Sequence, residues 1–464
     1  MKPVLLLLVP DGVGVRNFLL EPCGSRLREA WDVRVMTGFP ERLLPEQWQA
    51  SAEAMRVYRE GAIGMLLRYA LAHAHLCRWD TRAMRFVRQM PVRGRLPVRA
   101  MHRVARAIGR MTASEPGLAL LDGLLQWRLE RRKEVDWYAA ALEKIGPSAV
   151  LCTHQRPSIV LPVVLAARRL GIPTATFIFS WDNLTSKGRI AAPFDHYLVW
   201  SPLMKSELLR YYDWIPEERV HIVGTPQFEA YGERRWILSR EDFFRNIGAD
   251  PARRLICYSG GDTTTCPNEP AQLRAVLGLV RKGVFAGNPQ ILFRPSPADR
   301  GERFDGVRRE FPELIYAQPR WIYPSSGGWT NIVPTQEDVV MLANLTFHAD
   351  VNVNVASTMT LDFALHDRPV VNIGFDVDEA GRSRPWLTYY DFDHYRPVVE
   401  FGAARVARSP EELAAHVNAY LADPSLDREG RRKLVELEVG VPVGRSSEAV
   451  LEALARIAGV EVRA

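Results

Sequence analysis

Asp350-Val-Asn-Val-Asn354-Val-Ala-Ser357-Thr358-Met-Thr-Leu-Asp362-Phe-Ala-Leu-His-Asp-Arg-Pro369-Val-Val-Asn-Ile373 reads as strand, tight turn, helix, strand. Ser357 and Thr358 fall at the start of the helix, where unpaired N–H groups and the helix dipole favour a phosphate. Asp362 comes four residues after Thr358 and so lies on the same face, one turn deeper. A carboxylate there is placed to take both hydroxyls of a ribose; the alternative is a capped helix carrying a solvent-facing acid.

The same alternation extends in both directions. Upstream lie the apolar runs Leu255 to Ser259, Gln290 to Arg294 and Ile332-Val333, with helices predicted over Glu269 to Lys282 and Glu337 to Asn344. An earlier series holds Ala149 to Cys152, Thr174 to Phe179, His196 to Val199 and Val220 to Val223, with helices from Ser158 and after Ser201-Pro202. A serine before proline is a helix start: the hydroxyl caps a free N–H and the proline has none to waste. Strands alternating strictly with helices imply parallel sheets covered on both faces. The two series place one domain over 1–225 and a second over 226–440. Residues 441–464 hold a helix predicted from Ser446 to Ile457, placed to cross back to the first domain. Ser409-Pro-Glu-Glu412 opens another helix with a capping box.

The chain's 464 residues, 47% hydrophobic and 25% charged, suit more than one globular domain and exclude disorder and disulfide mini-scaffolds. A net charge of +6 is too mild to imply nucleic acid. The five cysteines, odd in number and never in Cys-x-x-Cys spacing, point away from structural zinc and toward a reducing, cytoplasmic setting. The opening Val4–Val9 run reads as a buried first strand rather than a leader, since Asp11-Gly12 comes almost at once.

Residues 46–145 break the alternation and read as a helical insertion. Ten arginines, no lysine and a single acid, Asp80, lie between Arg78 and Arg110. Arg82, Arg85 and Arg88 share one helical face, and Arg99, Arg103, Arg106 and Arg110 share another. A basic amphipathic helix suits an anionic membrane surface; a solvated arginine face is the alternative. Few aromatics are interleaved, so nucleic acid is not expected.

Candidate site residues cluster at strand ends. Ser259-Gly260-Gly261-Asp262 has the small residues that permit close approach of a phosphate, but it is neither a Walker A nor a dinucleotide fingerprint. Arg294, in Arg294-Pro-Ser-Pro297, is a phosphate candidate. In the first domain, Asp11 and His154 stand at strand ends, where ligands of α/β sheets lie. Phe179-Ser-Trp181-Asp182-Asn183-Leu-Thr-Ser-Lys187-Gly188 crowds polar groups at another strand end. Trp181 and Asn183 are candidates for the acceptor side, Lys187 for phosphate, and Asp182, His154 or Asp11 for a base. Asp391-Phe-Asp393 and Asp376-Val-Asp378 have the spacing of an Asp-x-Asp metal motif without the strand context, and are read as chance.

The Asn331–Asp338 and Asp350–Ile373 blocks together resemble the nucleotide-binding half of GT-B glycosyltransferases. The Phe179–Gly188 loop is similar to one in bacterial surface-carbohydrate proteins of that fold. The resemblance implies an α/β, GT-B architecture of two Rossmann-like domains facing a cleft. It puts Ile332 by the base of a nucleotide, Ser357 and Thr358 by its phosphates and Asp362 by its ribose. The turn departs from the glycine-rich pattern by carrying Ala-Ser-Thr, and Asp stands where Glu is usual. The same block also resembles CDP-glycerol glycerophosphotransferases and capsule transferases, which carry Arg-Pro-His-Pro where this chain has Arg-Pro-Ser-Pro.

These resemblances imply a glycosyltransferase. Its expected donor is a nucleotide-sugar and its acceptor a polysaccharide or lipid-linked molecule, with no cofactor and no metal, working at the cytoplasmic membrane face. A CDP-polyol phosphotransferase, a sugar-nucleotide epimerase and a non-catalytic nucleotide-binding scaffold are the alternatives.

Overall fold

A computed structural model describes residues 2–92, 94–324, 331–377 and 383–461, with backbone alone at 383–385. Seven parallel strands form the first sheet: β1 (Val4–Val9), β2 (Asp32–Thr37), β3 (Ala52–Ala54), β4 (Ala149–Cys152), β5 (Thr174–Phe177), β6 (His196–Val199) and β7 (Val220–Ile222), in the order β3-β2-β1-β4-β5-β6-β7. The leucines of β1 are fully buried because helices cover both faces of a central parallel strand. The second sheet has β8 (Leu255–Ser259), β9 (Gln290–Arg294), β10 (Ile315–Tyr316), β11 (Val351–Asn354), β12 (Val370–Ile373) and, at its far edge, Arg405–Ala407. Its strands also run parallel, in the order β10-β9-β8-β11-β12 and then Arg405–Ala407. Between β12 and that edge strand a small hairpin, β13 (Phe375–Val377) and β14 (Ser383–Pro385), interrupts the chain, so the edge strand is β15.

Each sheet reverses its strand order once, between β1 and β4 and between β8 and β11. Crevices at the carboxyl ends of strands flanking such a reversal are where α/β folds bind ligands.

The quoted Asp350–Ile373 stretch is β11, a turn, a helix over Met359–Ala364, and β12. Its turn places Ala356 at a φ of 42°, the left-handed region that favours glycine. Ile332-Val333, expected as a strand, is not part of the sheet. Val333 instead forms an isolated antiparallel bridge with Ile322, and the short β10 occupies the sheet edge. A two-residue apolar run has too little length to distinguish these outcomes.

The insertion between β3 and β4 consists of helices over Gly61–Trp79, Arg82–Gln89, Leu96–Met111, Glu115–Glu130 and Lys133–Ile145. The Leu96–Met111 and Glu115–Glu130 helices pack on Gly61–Trp79. A Cβ on Gly109 would lie 2.6 Å from that of His73, so the first of these crossings is close enough to require glycine. The Ser446–Ala458 helix packs on the Cys23–Ala30 helix and β4 of the first sheet's layer. It is tied down where the Ser447 amide donates to Glu229 at 2.7 Å. All five cysteines are free. Among the described residues, no helix is long and apolar enough to cross a membrane.

Candidate active site

The reversal between β1 and β4 brings together two residues 143 positions apart. Asp11 lies just past β1 and caps the short turn after it, its carboxylate accepting from the Val13 amide at 3.1 Å. Its other oxygen is hydrogen-bonded to His154 Nδ1, just beyond β4. Both side chains are buried, and the imidazole Nε2 has no protein partner among the described residues. An acid on one ring nitrogen fixes the tautomer and leaves the other available, the arrangement of a general base. Phe179, beyond β5, lies edge-on over the ring with centroids 4.1 Å apart.

Two cavities open between the sheets. The smaller, about 240 Å³, is lined by Arg16, Gln227, Tyr231, Arg294, Trp321, Leu342, Ser357, Thr358 and Asp362, among others. The larger, about 750 Å³, is walled by the Phe179–Lys187 loop, Arg156, Thr263 to Thr265, and Phe86, Val87 and Met90 of the insertion. They share Phe179, Ser180 and Thr358, so they meet along one seam, with His154 beneath Phe179.

In the smaller cavity Arg294 is 5% exposed and its Nη2 donates to both oxygens of Asp338, at 3.0 and 2.8 Å. Its Nη1 and the Nε of Arg16 are buried without a partner among the described residues. Unpartnered guanidinium N–H groups in a cleft are ready donors for an anion. Asp362 is buried, and the Tyr231 hydroxyl donates to it. Burial pushes its carboxyl up to about 6 in spite of Tyr231, Arg16 and Arg294, which favour the charged form. Ser357 and Thr358 border the cavity, but their hydroxyls are partly committed. Ser357 Oγ accepts from the Met359 amide at 3.2 Å, and Thr358 Oγ1 accepts from the Trp181 indole at 3.2 Å.

The Asp182 carboxylate is saturated. It accepts from Ser180 Oγ at 2.6 Å, Asn183 Nδ2 at 2.9 Å and Ser186 Oγ at 3.1 Å, and pairs with Lys187 at 3.0 Å. Burial opposes its ionisation, but Lys187, His394 and the Ser180 hydroxyl outweigh burial and hold it well below the usual carboxylate range. So stable an anion is a poor proton acceptor; of the three expected bases, the geometry favours the His154–Asp11 pair. Asn183 is buried and bound to Gln155 at 2.8 Å, and Lys187 is drawn to Asp182. Trp181 is 3% exposed and ties β5's loop to Thr358 of the other sheet; it is a bridge between the domains rather than an open stacking platform.

Other expected roles change more. The Gly260 amide donates to Arg294 O at 2.8 Å and the Gly261 amide to Glu269 at 2.8 Å, so neither is free to cradle a phosphate. Glu269 is itself fully buried and paired with Arg303 at 2.8 Å, which makes this turn a structural knot. Ile332 does not line the smaller cavity; its carbonyl abuts Gly12 of the first domain, where an added Cβ would lie 1.9 Å from the oxygen. Asp391 pairs with Arg82 and Asp393 with Arg396, while Asp378 lies outside the described residues.

The arginine-rich segment divides. Arg85 and Arg88 turn onto Asp80, and Arg78 pairs with Asp213 at 3.3 Å. Arg82 reaches Asp391, and Phe86 packs on Tyr389 and Phe392 with centroids 5.5 and 5.6 Å apart. The Arg82–Gln89 helix is therefore a strap across the larger cavity, its arginines paired within the protein. Arg93 lies outside the described residues.

Sequence reasoning assigned no role to Arg16, Tyr231, Asp338, Trp321 or Phe179. Tyr231 meets Asp362 across 131 positions, which no local pattern encodes. The Asp338–Arg294 pair had a faint signal: a buried arginine at a strand end requires an acid, and Asp338 stands in the first turn of the Gln336–His348 helix.

No family model and no curated protein matches the chain. Solved structures do. A UDP-GlcNAc 2-epimerase from Neisseria meningitidis bound to UDP-GlcNAc aligns with a TM-score of 0.55 and 11% identity, over 98% of this chain and 100% of that one. The S. aureus MnaA–UDP structure aligns at 0.52 and 10%, over 99% and 98%. The wall teichoic acid polymerase TagF, as a variant soaked with CDPG, aligns at 0.50 and 10%, over 99% and 90%. Identities this low speak to architecture and not to chemistry. Two Rossmann-like domains facing a cleft, matched along nearly their whole length, give this chain the GT-B fold, with a helical insertion in its N-terminal domain.

Proposed function

We propose that the protein is a glycosyltransferase that moves a sugar from a nucleotide-sugar to a polysaccharide or lipid-linked acceptor. The observation that carries this reading is the pair of cavities meeting at Phe179, Ser180 and Thr358, with the Asp11–His154 pair beneath the seam. An inverting transfer between two substrates needs room for both with a base at their junction; an isomerisation of one bound sugar nucleotide needs room for one.

In this reading the donor lies in the smaller cavity. Arg16 Nε and Arg294 Nη1 meet its diphosphate and Asp362 its ribose. The acceptor enters the larger cavity, and its hydroxyl oxygen forms a bond to the anomeric carbon as the bond from that carbon to the diphosphate breaks. His154 Nε2 takes the hydroxyl proton, once Phe179 turns aside, while Asp11 holds the tautomer and stabilises the imidazolium. The two guanidinium groups stabilise the departing diphosphate, so the reaction calls on no metal. Direct displacement with a base on the acceptor side inverts the anomeric centre.

The test is acceptor-dependent release of nucleoside diphosphate from a panel of nucleotide-sugars. His154→Gln lowers kcat by about 100-fold or more while leaving donor affinity unchanged. Inversion within the donor sugar without any acceptor overturns the reading in favour of epimerisation. Turnover of CDP-glycerol alone moves it to polyol-phosphate transfer.

A further inference from the structure

The Leu96–Met111 helix has an apolar stripe on the wrong side. Its inner face, Met101, Ala105, Ile108 and Gly109, packs toward Gly61–Trp79 as an amphipathic helix should. Beside that face, turned to solvent, Leu96, Ala100, Val104, Ala107 and Met111 recur at three- and four-residue spacing and are all exposed. Leu96 is 78% exposed, Val104 50% and Met111 77%. A row of guanidinium groups flanks this stripe. Arg99, Arg103 and Arg110 are exposed, and among the described residues none of their side chains makes a hydrogen bond or ion pair, in contrast to Arg82, Arg85 and Arg88, which are all paired within the protein. From Thr81 to Ser114 the sequence contains no acid. The adjoining Glu115–Glu130 helix repeats the anomaly, with Leu120, Leu124 and Trp127 between 44% and 59% exposed at helical spacing.

Scattered exposed apolar side chains need no explanation, but a periodic stripe beside unpaired cations does. A polyanion such as a nucleic acid would use the arginines and leave Leu96, Val104 and Met111 in water. A neutral apolar groove on a protein would leave the arginines unanswered. An anionic bilayer satisfies both at one depth: the apolar stripe enters the acyl boundary while the guanidinium groups stay among the phosphates.

We infer that the outer face of the Leu96–Met111 helix lies on an anionic lipid bilayer, with Leu96, Val104 and Met111 inserted and Arg99, Arg103 and Arg110 in the headgroup layer. The surface is independent of the chemistry proposed for the cleft. Arg106 of this helix donates to Met90 O at the end of the Arg82–Gln89 strap at 3.0 Å, and Met90 lines the larger cavity, so docking brings that cavity's wall toward the membrane.

The experiment is sedimentation of the full chain with vesicles of phosphatidylglycerol and phosphatidylcholine, compared with phosphatidylcholine alone. The wild type sediments with the anionic vesicles only. An Arg99→Gln/Arg103→Gln/Arg110→Gln variant loses roughly 100-fold in partitioning, and a Leu96→Gln/Val104→Gln/Met111→Gln variant loses at least about tenfold. An Arg85→Gln/Arg88→Gln variant, which removes the same kind of charge from residues paired within the protein, keeps the wild-type value to within about twofold. All the outer residues are at the surface, so unchanged circular dichroism is expected of each variant and is checked first. Failure of the wild type to sediment overturns the inference, as does retained binding in both outer-face triple variants. A concentration-dependent dimer abolished by the Leu96/Val104/Met111 variant, with no vesicle binding, would reassign the face to a second copy of the chain.

Discussion

Removing Asp338 tests how the cleft arginine is held. Asp338 accepts both Arg294 hydrogen bonds, the Trp321 indole at 2.6 Å and the Arg320 amide at 2.8 Å, and the two ionic side chains are each 5% exposed. Asp338→Ala strands a buried guanidinium and should cost about 3–5 kcal/mol. Replacing both partners, as Arg294→Met with Asp338→Leu, removes the stranded charge and should restore part of that loss, the acceptor of the Trp321 indole and Arg320 amide being absent from both variants. A chain with two sheets need not unfold in one step, so the assay is native-state hydrogen exchange of the Gln336–His348 helix and β9 rather than a single melting curve. Binding separates from stability here. The double variant regains part of its protection yet fails to bind a nucleoside diphosphate, because the Nη1 donor has gone. Burial raises the Asp338 carboxyl but Arg294 outweighs it and holds the group below its ordinary value. The pair's contribution is therefore present at neutral pH and lost as pH falls through that depressed value. A loss below about 1 kcal/mol in Asp338→Ala would show that Arg294 does not depend on its acid. Wild-type nucleotide binding by the double variant would show that Nη1 meets no phosphate.

Three further outcomes are expected. Burial raises Asp362 from its usual 3.8 to about 6, so the folded chain holds a proton that the unfolded chain releases in between. Stability should therefore fall as pH rises across that window, by up to about 3 kcal/mol, and Asp362→Asn should flatten the slope in pH-dependent exchange. Gly12→Ala drives a methyl group onto the Ile332 carbonyl, at a cost of about 1–3 kcal/mol, and small-angle scattering should register a wider cleft. Ala356→Gly relieves the left-handed residue in the β11 turn and should slow native-state hydrogen exchange of β11 by a factor corresponding to about 1 kcal/mol.

Much of the architecture was legible because parallel strands announce themselves as short apolar runs bounded by turns. β1, β4, β8, β9, β11 and β12 each coincide with such a run, and the helix starts at Ser201 and Ser409 come from side-chain capping, seen at 3.3 and 3.2 Å. Three of the four sheet edges were not legible. β3, β10 and β15 are three residues or fewer, only partly buried along their length, and lack a pattern of their own, whereas β7, the fourth edge, coincides with the Val220 to Val223 run. In the site, strand-end position singled out Asp11, His154 and Arg294, and helix spacing singled out Asp362, one at a time. Their pairings are tertiary: Asp11 meets His154 through the strand reversal, and Arg294 meets Asp338 through a helix docking on a neighbouring strand end. The same limit explains the overreading of Gly260-Gly261. Small residues after a strand permit a phosphate, but whether their amides are free depends on Glu269 and Arg294 O, which no local sequence reveals. It also explains the arginine segment, where composition was uniform and only packing separated paired from unpaired guanidinium groups.

Whether a donor nucleotide occupies the smaller cavity is decided by calorimetric titration with UDP, CDP, GDP, ADP and TDP, using the wild type, Arg294→Gln and Asp362→Ala. One nucleoside diphosphate should bind the wild type, and each variant should weaken it by about 1–3 kcal/mol through donors or acceptors left unpaired. Binding of none of them, or equal binding to all three proteins, would contradict the placement of a donor nucleotide between Arg16, Arg294 and Asp362.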